Sequence, residues 1–280
     1  MNKGARIVEK AKELGVAMAG IANIEQLKKS PSHEILKKFG TKIDGVCAVA
    51  GINRLSPVEW PPEAKSVLVI AVSHPQNNPR LDWFYTSGNT PGNQILIRIN
   101  RELSKWIEET LGIKTHKMPY YVERGGIYLK DAAVLGGLGC IGKNNMLITP
   151  ELGPRVRLRA LLLETGLAST GPIDFDPCRD CGEFCRRACP QKAFDNPTHS
   201  PGELGITELP ARDGHFSRAR CTTQMDKDVE SFEIDIDLKT LAGLDKEEVR
   251  QGEKPIKHCR KCEFACPVGT SRHTSEKALL

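Results

Sequence analysis

The residues best suited to chemistry in this sequence are its cysteines, eight of which lie between positions 178 and 266. The first group has the spacing C-x2-C-x3-C-x3-C-P, one residue longer before its third cysteine than the bacterial ferredoxin pattern. The second group also ends in Cys-Pro, and its last three cysteines keep the ferredoxin spacing behind a long insertion. Spacings of this kind are typical of thiolates that hold iron–sulfur clusters. The eight residues are Cys178, Cys181, Cys185, Cys189, Cys221, Cys259, Cys262 and Cys266.

The assignment of these cysteines to metal centres follows a ferredoxin rule. In two-cluster ferredoxins, the cysteine of each Cys-Pro pair binds the other cluster. Two zinc sites with four thiolates each are the alternative, since zinc accepts the same ligands. The two Cys-Pro endings favour iron–sulfur clusters over zinc sites. Cys47 and Cys140 fall outside both sets and are predicted to be small buried residues. The rule predicts one [4Fe-4S] cluster on Cys178, Cys181, Cys185 and Cys266, and a second on Cys189, Cys221, Cys259 and Cys262.

Two further motifs are near matches that we interpret otherwise. The stretch GLGCIGKN (137–144) lacks the hydroxyl of a nucleotide phosphate loop at Asn144 and precedes a predicted strand, which argues against ATP hydrolysis. Its glycines still predict a close backbone approach to something flat or bulky. The stretch DGHFSR (213–218) approaches a cobalamin-ligating motif but has Arg218 in place of glycine, so His215 is predicted to be a surface or supporting residue.

The first 170 residues are predicted to position this chemistry on helices over a mixed sheet. Helical spacing of apolar residues indicates one helix ending at Gly15 and another ending at Gly112, and the runs 16–22 and 66–72 read as buried strands. We expect 146–149 and the strand from Arg155 to form a hairpin. Alternation places the arginines of that strand on one face, which is either solvated or turned toward an anionic cofactor or partner: Arg155, Arg157 and Arg159.

Composition limits the class of protein. The 280 residues are 39% hydrophobic and 27% charged with a net charge of +5, which suits a cytoplasmic protein and permits an anionic partner. The N-terminus shows neither a signal peptide nor paired arginines, and no apolar run is long enough for a membrane span. In a reducing cytoplasm, cysteines are more often metal ligands than disulfides.

The segment GGLGCIGKNNMLITPELGPRVRL (136–158), followed by the two-cluster cysteines, resembles the superfamily of epoxyqueuosine reductases and reductive dehalogenases. The resemblance implies an α/β (α+β) chain. Residues 1–170 would form a nitroreductase-like domain holding base-off cobalamin, and 171–280 a ferredoxin-like domain with an insertion at about 195–258. It also implies a low-potential electron donor such as ferredoxin or flavodoxin. The chain stops soon after Pro267, where epoxyqueuosine reductases usually continue, which argues against tRNA as the substrate.

The same resemblance implies which residues meet the cofactor and substrate. Glu123 matches the position of the family's acidic proton donor, with Tyr121 or Tyr128 as the phenolic counterpart; the opposing interpretation is an exposed Glu123 paired with Arg124. Lys143 and the arginine-bearing strand would hold amide or phosphate groups of the corrinoid. The residues implied to line it are Gly136, Gly137, Leu138, Gly139, Cys140, Ile141, Gly142, Lys143, Asn144, Thr149, Gly153 and Arg155.

Three functions remain in competition. The first is a cytoplasmic, cobalamin-dependent iron–sulfur reductase that passes electrons from its clusters to cobalamin and then to a substrate. The second is an electron-transfer or corrinoid-handling protein with no organic substrate of its own. The third is a zinc-stapled protein that binds nucleic acid, although an aromatic content of 5% offers little base stacking.

Overall fold

The computed structural model describes residues 2–39, 56–78, 81, 90–230 and 259–269. It combines helices and strands, which confirms the α+β class. Cys47 lies outside the described residues, as does the end of the predicted insertion. The elements are α1 (Lys3–Glu13), β1 (Met18–Asn23), α2 (Ile24–Lys28), α3 (Pro31–Phe39), β2 (Ser66–Ser73), α4 (Pro91–Leu111), β3 (Thr115–Lys117), α5 (Leu129–Leu135), β4 (Cys140–Ile141), β5 (Leu147–Ile148), β6 (Val156–Leu163), α6 (Phe184–Arg187), α7 (Pro201–Leu204), α8 (Arg218–Glu230) and α9 (Lys261–Phe264).

Four strands form the main sheet in the order β1-β2-β6-β3. All three pairings are antiparallel, so the expectation of a mixed sheet was wrong. The two central strands are apolar over most of their length, because both of their faces are covered by helices. No helix in the described ranges combines the length and the hydropathy that a membrane span requires.

The core of this region consists of two layers, one on each face of the sheet. Leu68 and Leu161 face α1 and α4, where they pack against Ile7 and Leu103. The alternate residues of the same strands face α2 and α5, as strand geometry requires, and Val67 is one of them. Helix α4 ends at Gly112 in the left-handed region, as the sequence predicts, and it begins at a Thr90 cap followed by Pro91.

The predicted hairpin between 146–149 and the following strand was wrong. β5 pairs instead with β4, where Cys140 lies opposite Ile148. The Thr149 and Gly153 backbones exchange hydrogen bonds of 2.9 and 3.0 Å, which close a tight turn before β6 begins. β6 then enters the main sheet between β2 and β3, because its apolar end is long enough to be buried on both faces.

The region after β6 contains short helices joined by loops. Its first segment returns to the sheet, where the Ile21 N–H donates to Thr170 Oγ1 at 2.8 Å and the Thr170 hydroxyl donates to the Gly136 carbonyl at 2.6 Å. The cysteines follow in and around α6, α8 and α9. The domain boundary at residue 170 remains a prediction.

Candidate functional site

Four cysteines from distant parts of the chain line one common cavity. They are the four that the ferredoxin rule assigned to the first cluster. Within the described residues, no three histidine, cysteine or carboxylate side chains are close enough together to hold a single metal ion, and these thiols instead enclose a volume. The lining residues are Lys143, Asn144, Ile148, Pro177, Cys178, Cys181, Glu183, Cys185, Cys266, Pro267 and Val268.

Asp176 and Arg212 fix the start of the first cysteine group. The Asp176 carboxylate accepts a hydrogen bond of 3.1 Å from the Cys178 N–H and forms a two-point ion pair with Arg212. The hydrogen bonds from Arg212 lower the pKa of Asp176 to about 2, so the carboxylate stays charged at neutral pH. The loop that carries Cys178 is thus held by a charged anchor outside the cavity.

Arg155 fixes the distant fourth cysteine. This arginine is 1% exposed, and its guanidinium donates to the Cys266 carbonyl at 2.7 Å and to the Val268 carbonyl at 2.8 Å. The Gly153 backbone also meets this segment, since a Cβ there would lie 2.0 Å from the Val268 oxygen. The turn that precedes β6 is therefore the docking surface of the second Cys-Pro segment.

These contacts bear on two expectations for the arginine strand. The prediction of an arginine face exposed to solvent was wrong. Arg155 is buried, Arg157 donates to Asn93 Oδ1 at 3.2 Å and Arg159 lies over the Tyr120 ring.

Thr149 was predicted to line a corrinoid together with Gly153 and Arg155. In the structure its hydroxyl donates to the Gly153 carbonyl at 3.1 Å and is fully buried, and a corrinoid role for the three residues remains a prediction.

The structure also brings the second set of four cysteines together. Cys189, Cys221 and Cys262 pack against a small apolar cluster that includes Phe194. The charges of Cys221 and Cys259 act on Cys262, and that of Cys189 acts on Cys259. The ferredoxin rule therefore names two groups that are each contiguous in space.

Burial is the main cause of the raised pKa of some of the cysteine thiols. It raises the pKa of Cys185 to about 11, with a further contribution from the nearby Cys266, and it raises the pKa of Cys262 as well. Buried neutral thiols become ligands only when a metal replaces their protons. If these thiols bind a metal, its uptake releases their protons.

The glycine-rich loop after α5 packs tightly against the protein's own backbone. A Cβ on Gly20 would lie 2.1 Å from the Gly136 oxygen, and one on Gly139 would lie 1.9 Å from the Ile148 oxygen. A Cβ on Gly137 would meet the Thr170 oxygen at 2.8 Å. We expected these glycines to admit a flat or bulky group, and in the structure the space at their Cα atoms is taken by protein backbone.

The side chains of this loop divide into buried and half-exposed groups. Leu138 belongs to the apolar core beneath the sheet, whereas Cys140, Ile141 and Lys143 are half-exposed. Lys143 Nζ donates to Glu183 Oε1 at 2.8 Å, and this hydrogen bond raises the pKa of the lysine. Cys140 lies close enough to the first cysteine group for the charge of Cys178 to act on it, and burial raises its pKa to about 11.

The predicted proton donors lie apart from the cavity lining. Glu123 is 8% exposed, and its backbone carbonyl accepts a hydrogen bond of 3.1 Å from the Ser56 N–H. The interpretation of Glu123 as an exposed residue was wrong, because it is buried; the Arg124 guanidinium lies 5.7 Å from the centre of the Tyr121 ring. Tyr121 is largely exposed, whereas Tyr128 is buried against His33.

Sequence reasoning missed a second arginine anchor between the two cysteine groups. Arg186 forms a two-point ion pair with Asp213 at 2.7 and 2.8 Å, and its Nε donates to the Lys143 carbonyl at 3.0 Å. It thereby ties α6 to the glycine-rich loop. The only indication of this anchor in the sequence was an arginine next to Cys185.

His215 lies beside this ion pair. It hydrogen bonds to the Asp213 carbonyl at 3.2 Å, as a supporting residue would.

Comparison with known proteins gives a consistent set of relatives, although no family model matches the chain. Epoxyqueuosine reductase of Bacillus subtilis is 27% identical over 205 residues, which cover 68% of this chain and 51% of the relative. Tetrachloroethene reductive dehalogenase of Desulfitobacterium hafniense is 25% identical over 253 residues, covering 78% of this chain and 44% of the relative. A crystal structure of epoxyqueuosine reductase with an epoxyqueuosine-modified tRNA stem loop superimposes with a TM-score of 0.59 at 20% identity, covering 95% of this chain and 64% of that one. The chain thus spans about half the length of the curated relatives it matches.

Proposed function

We propose that this chain, which belongs to the superfamily of epoxyqueuosine reductases and reductive dehalogenases, is a corrinoid-dependent iron–sulfur reductase. The observation that carries the proposal is the cavity enclosed by Cys178, Cys181, Cys185 and Cys266. Two loops far apart in sequence converge there, and each contributes the ligands that the ferredoxin rule assigns to it. A site with four thiols around a shared volume suits a multi-atom cluster better than an ordinary apolar core.

The residues present fit two [4Fe-4S] clusters. The first would be held by the cavity thiols and the second by Cys189, Cys221, Cys259 and Cys262. Such clusters supply one-electron transfer at low potential when bound. Buried or half-buried arginines fix both loops, and the fold therefore holds the ligands at set positions.

The fit to a corrinoid rests on one side of the glycine-rich loop. The half-exposed residues Cys140, Ile141 and Lys143 would meet it, while the glycine Cα atoms face protein. Lys143 also lines the cysteine cavity, so this side of the loop adjoins the proposed first cluster. A bound corrinoid would supply a strongly reducing metal centre for the substrate.

Glu123 is the proposed proton donor of the reaction. Glu123 is 8% exposed and carries the carboxyl group that such a donor needs. One solved structure of Bacillus subtilis epoxyqueuosine reductase has a catalytic aspartate loop swung out of the active site, and Glu123 likewise lies in a turn rather than in a helix or strand. Tyr121 is the alternative donor, since its exposed ring lies in the same turn.

Metal and corrinoid analysis of anaerobically purified protein tests the proposal. We expect about eight irons per chain, as two four-iron clusters require, and a change in the corrinoid spectrum when cob(II)alamin is added. Zinc in place of iron would contradict it. Iron without any response to cob(II)alamin would leave an electron-transfer protein as the conclusion.

Turnover then distinguishes the reductase from a corrinoid-handling protein. The two substrates to compare are an epoxyqueuosine-containing tRNA stem loop and tetrachloroethene, which the relatives' names supply. We expect turnover of one of them with reduced ferredoxin or flavodoxin as donor, and its loss in Glu123→Gln. If Glu123→Gln retains full turnover, the acid is another residue.

A further inference from the structure

One polar atom in the wall of the cysteine cavity has no protein partner among the described residues. Asn144 lines the cavity and is 3% exposed. Its Nδ2 is fully buried and makes no hydrogen bond to any part of the chain that the structure describes. Buried amide donors in native proteins are nearly always hydrogen-bonded, so this one calls for an acceptor.

The orientation of the Asn144 amide is set by its other end. Oδ1 accepts a hydrogen bond of 3.2 Å from the Met146 N–H. Gly142 packs beside the same atom, because a Cβ there would lie 2.9 Å from Oδ1. With the oxygen engaged by a backbone donor, the nitrogen end is the one left for a ligand.

Among the side chains that line the cavity, Asn144 is the uncharged hydrogen-bond donor. Lys143 is paired with Glu183 at 2.8 Å, and the remaining lining residues outside the thiols are mostly apolar or proline, such as Ile148 and Val268. The cysteines themselves become acceptors once they lose their protons to a metal. A buried N–H beside thiolate and sulfide is the arrangement that tunes iron–sulfur centres.

We propose that Asn144 Nδ2 donates a hydrogen bond to a sulfur atom of the cluster held by Cys178, Cys181, Cys185 and Cys266, and that this bond raises the reduction potential of that cluster. The inference rests on the proposed iron–sulfur function. Reduction adds negative charge to the cluster, and an N–H donor stabilises the more negative state more strongly. Asn144 is therefore a tuning residue of the first cluster rather than a contact of a corrinoid.

A redox titration followed by electron paramagnetic resonance tests this on the reconstituted full chain. Asn144→Leu keeps similar volume without a donor, and we expect the ratio of reduced to oxidised first cluster at a fixed potential to fall by about tenfold, or about 59 mV for one electron. The second cluster serves as an internal control whose potential stays unchanged. Ile148→Val, which alters the same wall without removing a donor, is the matched variant and should leave both potentials unchanged.

The outcomes separate this inference from the function on which it rests. If wild-type protein takes up no iron, the proposed function fails. If both clusters assemble and the Asn144→Leu titration overlays the wild type, the hydrogen bond is refuted. Should the variant not assemble, wild-type protein labelled with ¹⁵N in the asparagine side chains is measured by pulsed double resonance. A coupling to the reduced first cluster supports the bond, and its absence overturns it.

Discussion

The sheet region and the cysteine region are held together by different forces. The sheet lies between apolar clusters on both of its faces, and helix α4 on one face is capped at both ends. The cysteine region has only small apolar clusters, and cysteines form part of two of them. Its loops are fixed by buried or half-buried arginines such as Arg155, Arg186 and Arg212. The comparison indicates that apolar burial stabilises the first region, whereas the second, on the proposed function, also relies on metal binding.

The largest expected effect is that of removing iron. Hydrogen–deuterium exchange of the loaded and the chelated protein should show lost protection across 177–230 and 259–269, because ligand binding and local folding are coupled there. The strands β2 and β6 should keep their protection, since their core contains no cysteine. Equal loss in both regions would show that the sheet also depends on the metal.

The next effect is that of breaking the contact between the regions at Arg155. Arg155→Met removes charge-assisted hydrogen bonds to the carbonyls of Cys266 and Val268, and we expect a loss of about 4 kcal/mol in the free energy of unfolding, from about 2 kcal/mol per bond. Denaturant unfolding measures this, with iron content as a second readout. Arg179→Ala is the control, because that side chain is 75% exposed. A near-neutral Arg155→Met would mean that the docking is held elsewhere.

Within the sheet region, a substitution at Gly20 tests how tightly the glycine-rich loop packs against β1. Gly20→Ala would place its Cβ 2.1 Å from the Gly136 oxygen, which is backbone and cannot rotate away. We expect a loss of about 3 kcal/mol in stability, as overpacking produces. Thermal unfolding checks it against Gly166→Ala, a position with open space around its Cα. Equal melting temperatures would show that the loop yields readily.

The smallest effect is a pH dependence confined to the sheet region. Burial lowers the pKa of His33 to about 4, against an unfolded value near 6.5. The unfolded chain therefore binds more protons at acidic pH, so the stability contributed by neutral His33 is present above pH 6.5 and is lost as pH falls toward 4. Between pH 7 and pH 5 this loss amounts to about 2 kcal/mol.

Urea unfolding at several pH values measures that dependence. In His33→Gln the slope between pH 7 and pH 5 should flatten, while His116→Gln at the end of the sheet should keep it. An unchanged slope in His33→Gln would assign the dependence to other groups.

Local signals predicted the sheet region well where one segment decides its own structure. The apolar run of β2 and the helical spacing of apolar residues that ends at Gly112 led to the right elements within a few residues. The predicted hairpin was wrong because the alternation of apolar and polar residues does not specify which strand pairs with which. The prediction that the arginine face is exposed was wrong for a related reason, since a polar face can contact a docked protein segment as readily as water. The partners of Arg155 lie more than one hundred residues away in sequence, beyond the reach of any local pattern.

The cysteine region was predictable in a different way. Its local structure carries little periodicity, yet the ferredoxin rule named the residues that the structure brings together around Cys266 and around Cys262. The buried donor of Asn144 had no such signal, because the sequence showed only that a hydroxyl was missing there. Spacing thus grouped the cysteines that share a cavity better than it identified the residues around them, and their role as ligands remains a prediction.

The exchange of Cys189 and Cys266 between the two groups also has a consequence for biosynthesis. On the proposed ligand assignment, neither group is complete until the segment from Cys259 to Cys266 has left the ribosome. The sheet strands, in contrast, are all synthesised by Leu163. Cluster insertion then follows the synthesis of every described sheet strand, and it acts on a sheet that has already had time to fold.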